Sequence, residues 1–150
     1  MHTIKRILLV EDDPKDIELT LAALAEYNLA NEVEVARDGV EALDYLHRRG
    51  SYVQQRTGNP VVILLDLKMP RLDGLQVLQQ IKADEQLRLI PVVVLTSSHE
   101  SFDLEQCYKL GANAYVVKPV RFIDFVDAVK QTGVFWALLN QSPPDNATKK

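Results

Sequence analysis

Five short apolar runs, Ile7 to Val10, Val33 to Ala36, Val61 to Leu65, Val92 to Leu95 and Ala114 to Val117, alternate along the chain with stretches whose apolar residues recur at helical spacing. Several of the runs are continuously apolar. Strands of Val, Ile and Leu in succession suit a sheet covered on both faces, which parallel strands require because their crossover helices lie on each side. The helical stretches supply the covers. Ile17, Leu21, Leu24 and Ala25 share one face of the first, Val40, Leu43 and Leu46 of the second, and Val77, Leu78 and Ile81 of the third. Leu104, Cys107, Tyr108 and Gly111 do so in the fourth, and Phe122, Phe125, Val126 and Val129 in the fifth. Strand then helix, five times over, predicts an α/β fold: a doubly wound five-stranded parallel sheet of flavodoxin-like order 2-1-3-4-5, flanked by five helices. With 150 residues, 47% of them hydrophobic, the chain has the material for one core.

Two segments depart from this economy. Gly50 to Pro60 is a polar connection longer than the few residues that usually join a helix to a strand, and it is expected to be a mobile surface loop. Residues 141–150 carry two prolines and are otherwise almost wholly polar, so a disordered tail is expected after a single domain over residues 1–140. The net charge of -4 and pI of about 5.4 leave no basic excess to neutralise nucleic-acid phosphates. Cys107 is the only cysteine, which excludes a disulfide framework or a thiolate cluster and suits a cytoplasmic protein. No apolar run approaches the roughly 18 residues of a membrane span, and no membrane association is expected.

In an open sheet of this order, ligands bind beyond the carboxyl ends of the strands where the order reverses, here between strands one and three. Strand one runs into Glu11, Asp12 and Asp13, and strand three delivers Asp66 at its end. Asp13 precedes Pro14 and reads as a helix N-cap. The other acids converge on one crevice, and like charges that close require a cation or a retained proton. Oxygen ligands alone indicate a hard divalent ion, Mg²⁺ or Mn²⁺, with Mg²⁺ and its retained waters fitting best. A carboxylate such as Asp66 is either a strand-end turn residue or a nucleophile toward a phosphoryl group. Strand four ends in Thr96-Ser97-Ser98 and strand five is followed by Lys118-Pro119. Taken singly, Thr96 is a helix-cap residue and Lys118 a solvated charge. Together with the acids, at the same ends of neighbouring strands, they are the hydroxyl and ammonium that would bind phosphoryl oxygens.

Four segments carry a resemblance: Ile7-Leu-Leu-Val-Glu-Asp-Asp13, Leu64-Leu-Asp-Leu-Lys-Met-Pro-Arg-Leu-Asp-Gly74, Val93-Val-Leu-Thr-Ser97 and Gly111-Ala-Asn-Ala-Tyr-Val-Val-Lys-Pro119. In this order they resemble the response-regulator receiver domains of two-component signalling. The resemblance implies that Asp66 accepts a phosphoryl group from a histidine kinase, and that Asp12 ligates Mg²⁺ directly. It implies further that Glu11 ligates the metal through water and the Lys68 carbonyl supplies another ligand. Thr96 and Lys118 would then bind the phosphoryl group, Tyr115 would turn inward as Thr96 moves, and the Lys118–Pro119 peptide would be cis. Such a domain is a phosphoacceptor and not an enzyme, beyond Mg-dependent self-phosphorylation and autodephosphorylation. The long loop, the lack of an output domain after helix five and the ending Gly133-Val-Phe-Trp-Ala-Leu-Leu-Asn140 resemble the single-domain response regulators of cyanobacterial phytochromes, which implies a phytochrome-type kinase as partner.

A second apolar stripe follows helix five. If the helix runs past Gly133, Trp136 stays on the core stripe, while Val134, Phe135, Leu138 and Leu139 group on roughly the opposite side at about 100° per residue. Either Gly133 ends the helix and these residues fold back over the core, or they form an exposed patch for a homodimer. Three rival functions remain in view. A phosphatase of the haloacid-dehalogenase type needs an acid where Lys68 stands, and a flavin carrier needs a phosphate loop where the acids stand. A phosphate-independent receiver-like binding module would show loss of site residues, and none is lost.

Overall fold

The computed structural model describes residues 6–29, 32–54 and 58–143. Five strands, β1 (Ile7–Val10), β2 (Val33–Ala36), β3 (Val62–Leu65), β4 (Val92–Thr96) and β5 (Ala114–Val117), form one parallel sheet in the order β2-β1-β3-β4-β5. The helices are α1 (Pro14–Ala25), α2 (Gly39–His47), α3 (Gly74–Ala83), α4 (Ser101–Lys109) and α5 (Phe122–Gly133). This is the predicted architecture. β3 starts one residue later and β4 ends one residue later than the apolar runs suggest, so Thr96 is a strand residue.

Alternate strand side chains feed two cores. Leu8, Val10, Ile63, Leu65, Val92 and Val94 pack under α2, α3 and α4 with Leu43, Val77, Leu78, Ile81 and Cys107. Ile7, Leu9, Val62, Leu64, Val93 and Leu95 pack under α1 and α5 with Ile17, Leu24, Phe125 and Val129. Strands β1, β3 and β4 are buried along their whole length, as a sheet covered on both faces requires.

The helix faces are narrower than the spacing predicts at one edge of the sheet. Leu104, Tyr108 and Phe122 are exposed, as are Ala25 and Gly111. The reason is positional for the first three. β5 is an edge strand, only half buried, and a helix beside it has one neighbouring strand to cover. Cys107 alone is fully buried in α4.

One further expectation needs correcting, and one open alternative is decided. No cis peptide occurs among the described residues, so Lys118–Pro119 is trans; the tertiary amide prefers trans by only about 0.5–1 kcal/mol, and sequence does not decide it. The 50–60 connection opens with a 3₁₀ turn, Gly50–Tyr52, and contacts its surroundings near both ends. The Tyr52 hydroxyl donates to Glu41 Oε2 at 2.8 Å, its ring stands edge-on to Tyr45, and the Asn59 amide donates to the Gln86 carbonyl. Residues 55–57 of that connection and 144–150 of the expected tail lie outside the described residues. Of the two readings of Gly133, the structure takes the continuing helix: Gly133 is helical and does not stop α5. The chain continues as a π-helix over Val134–Leu139, closed by a hydrogen bond from the Asn140 N–H to the Phe135 carbonyl. The wider turn brings Ala137 into the core, leaves Trp136 half-buried against it, and leaves Phe135 48% and Leu139 70% exposed. Phe135, Leu139 and the half-buried Val134 line a groove with Tyr27, Asp127, Lys130 and Gln131.

Candidate functional site

Strand register assembles the site. Val10 is paired with Leu65, and the Asp66 N–H donates to the Val10 carbonyl at 3.0 Å, so the residues leaving β1 and β3 emerge side by side. Glu11, Asp12 and Asp66 each present a carboxylate oxygen, all within 4.8 Å of one another. Thr96 is paired with Val117, and the Lys118 N–H donates to the Thr96 carbonyl, which brings Lys118 to the same rim. Asp13 stays out of the cluster as the N-cap of α1, accepting from the Lys15 and Asp16 N–H groups ahead of Pro14.

The start of α3 locks the loop that carries Asp66. Asp73 and Gln76 form a reciprocal capping box, and the Gly74 N–H donates to the Leu67 carbonyl. A Cβ on Gly74 would lie 2.2 Å from the Asp66 carbonyl oxygen, so only glycine lets the helix close on the strand end. The Asp66 carboxylate accepts from the Leu67 N–H at 2.7 Å. Lys68 is exposed in the following turn. That turn is also clamped from outside, because the Arg71 guanidinium forks onto Asp38, the N-cap of α2, at 2.8–3.0 Å.

The Lys118 ammonium, its side chain 9% exposed, lies 2.7 Å from Glu11 Oε1, 2.8 Å from Asp16 Oδ2 and 3.4 Å from Asp66 Oδ2. Burial works against its charge, but the hydrogen bonds to Asp16 and Glu11 and the charge of Asp66 outweigh it and hold the lysine above its ordinary pKa. Glu11 is pushed up to about 7 by burial, with Asp66 adding to the rise and Lys118 opposing it. The partners thus shift in opposing senses for the stability of the pair. The lysine stays charged among several acids, whereas burial favours a proton on the nearly enclosed Glu11.

Thr96 is fully buried, and its hydroxyl oxygen accepts from the Ser98 N–H at 3.3 Å. Ser98 ties the loop after β4 to two elements. Its hydroxyl donates to Asp103 of α4 at 2.6 Å, and its carbonyl accepts from the Tyr115 hydroxyl at 3.2 Å. The half-buried Tyr115 is therefore linked to Thr96 through one loop residue. Of the residues read from the sequence, Glu11, Asp12, Asp66 and Lys118 come together directly, with Thr96 and Tyr115 at the next loop. Val134, Phe135 and Leu139 line the separate groove where the chain continues past α5, and the Leu138 side chain lies outside the described residues. Asp16, Ser98 and Asp103 were not singled out; the spacing of Asp16, one helical turn after Asp12, is the only trace of its role.

The cluster suits a divalent metal: its donors are all oxygens, they lie close enough to share one ion, and their mutual repulsion asks for a cation. Such an all-oxygen crevice beside a buried lysine, at the switch point of a 2-1-3-4-5 sheet, defines an aspartate phosphoacceptor domain. The model of the response regulator receiver domain matches residues 7–130, and the chain belongs to that family. It is a phosphoacceptor response regulator of two-component signalling, with a histidine kinase as partner.

Among its relatives is response regulator Rcp1 of Synechocystis sp., 39% identical over 132 residues that span 88% of each chain. The Mn²⁺-bound form of Rcp1 superposes with a TM-score of 0.87 at 37% identity, over 93% of this chain and 99% of that one. The phosphorylated cyanobacterial phytochrome response regulator RcpA matches at 0.87 and 40% identity, with the same coverage. The bacteriophytochrome response regulator AtBRR is 60% identical, with a TM-score of 0.72, over 92% of this chain and 99% of that chain.

Proposed function

We propose that this chain is the response regulator of a phytochrome-type histidine kinase, and that Asp66 is its phosphoacceptor. The observation that carries the site is the convergence of Glu11, Asp12 and Asp66 within 4.8 Å, with the Lys118 ammonium 3.4 Å from Asp66. The kinase assignment rests on the similarity to RcpA, Rcp1 and AtBRR.

An Asp66 carboxylate oxygen attacks the phosphorus of a phosphohistidine. The new P–O bond forms as the P–N bond breaks, and the imidazole nitrogen keeps the electron pair. Asp12 and Asp66 would hold Mg²⁺ directly, Glu11 through water and Lys68 through its carbonyl, and the bound ion would supply charge neutralisation for the transfer. Lys118 moves onto one phosphoryl oxygen and Thr96 gives up Ser98 to donate to another. Because Tyr115 holds the same loop through the Ser98 carbonyl, that exchange shifts Tyr115 and with it the surface of α4, β5 and α5. The added charge of roughly -1 to -2 supplies the bias between two states. The same site supports self-phosphorylation from small donors and autodephosphorylation. The protein works in the cytoplasm as one receiver domain spanning residues 1–140, and it pairs with a second copy through Val134, Phe135, Leu138 and Leu139.

Intact-protein mass after incubation with acetyl phosphate and Mg²⁺ tests the acceptor. The wild type gains one phosphoryl mass and Asp66→Asn gains none. A gain in both would move the acceptor elsewhere.

A further inference from the structure

The lysine that is to meet the phosphoryl group is already committed elsewhere. Its shortest contacts are Glu11 at 2.7 Å and Asp16 at 2.8 Å, while Asp66 is farther away at 3.4 Å. Glu11 belongs to the metal cluster, and Asp16 does not. Asp16 stands in the first turn of α1, its backbone held by Asp13 on one side and by the Thr20 hydroxyl on the other. Its side chain is only about a quarter exposed, at 23%. A helix thereby brings to Lys118 a carboxylate that lies outside the metal cluster.

We propose that Asp16 is a positioning residue for Lys118: it holds the ammonium on the α1 side of the site, so the incoming phosphoryl group must draw the lysine off Asp16. This rests on the reading of Asp66 as acceptor and Lys118 as phosphoryl ligand. Two effects follow from electrostatics. Asp16 adds negative charge beside the site, which opposes an anionic donor and also occupies the cation that would receive it. The same carboxylate keeps Lys118 from pairing wholly with Glu11 and Asp66, which leaves those two acids freer for the metal. Removing the charge therefore moves two measurable quantities in opposite directions, which a general loosening of α1 would not do.

The test compares wild type, Asp16→Asn, Asp16→Glu and Asp66→Asn, each with its melting curve recorded. At saturating Mg²⁺, the second-order rate of modification by acetyl phosphate is followed by intact mass. Mg²⁺ affinity is measured separately by calorimetry. Asp16→Asn is expected to react about threefold faster and to bind Mg²⁺ about threefold more weakly, as suits the loss of one partly exposed ion pair. Asp16→Glu is expected to return both toward wild type. Equal rates and affinities in wild type and Asp16→Asn, or a fall in both together, overturn the role of Asp16 while leaving Asp66 as acceptor. Modification of Asp66→Asn at the wild-type rate overturns the underlying reading, and the inference with it.

Discussion

Glu11 is the residue on which acidity and metal binding meet. It is 3% exposed, and its carboxyl is raised from about 4.5 to about 7. An acid raised on folding stabilises the metal-free protein below its unfolded value near 4.5, and that contribution is lost as pH rises through about 7. Metal binding runs the other way, because it needs the ionised form. Mg²⁺ affinity at pH 6 is expected to be about tenfold lower than at pH 8, read by calorimetric titration, and Glu11→Gln should bind weakly with little dependence on pH in that range. Equal wild-type affinities at both values would show that Glu11 is already ionised at pH 6. At this scale the sequence disclosed Glu11, Asp12, Asp66 and Lys118 because strand ends are readable from apolar runs. Asp16 was not legible: an acid in the first turn of a helix is ordinary until the position of Lys118, more than a hundred residues on, is known.

Among the elements, the joint between β3 and α3 is the least forgiving. A Cβ on Gly74 would meet the Asp66 carbonyl oxygen at 2.2 Å and Leu67 Cα at 2.6 Å, and backbone cannot step aside as a side-chain tip can. Gly74→Ala is expected to destabilise the fold by about 1–3 kcal/mol, measured by urea unfolding, and to slow modification of Asp66 as well. Unchanged stability would show that α3 can shift. The alternation of runs revealed the five strands and five α-helices of the described residues, since length and apolar continuity separate strand from helix. Periodicity could not say how wide a stripe each helix buries. Leu104, Tyr108 and Phe122 fit their stripes, yet they sit beside an edge strand that leaves them uncovered. Nor could a 100° period foresee the π-turn after Gly133, whose hydrogen bonds skip one residue further.

For the molecule as a whole, the groove bearing Phe135 and Leu139 is the surface on which the proposed pairing is tested. These side chains are exposed on the π-helix that continues α5. The wild type is expected to sediment as a dimer, and Phe135→Asp with Leu139→Asp as a monomer that still accepts a phosphoryl group; a wild-type monomer at high concentration, with and without phosphorylation, would exclude the pairing. The reacting groups have a different dependence on the whole. Glu11 follows β1, Asp66 follows β3, Thr96 closes β4 and Lys118 follows β5, and register between those strands is what brings them together. A growing polypeptide can pair β1 with β3 and gather Glu11, Asp12 and Asp66, but it lacks Lys118 until its last strand has left the ribosome and docked beside β4. A nascent copy at that stage holds an acidic crevice without the lysine that completes it.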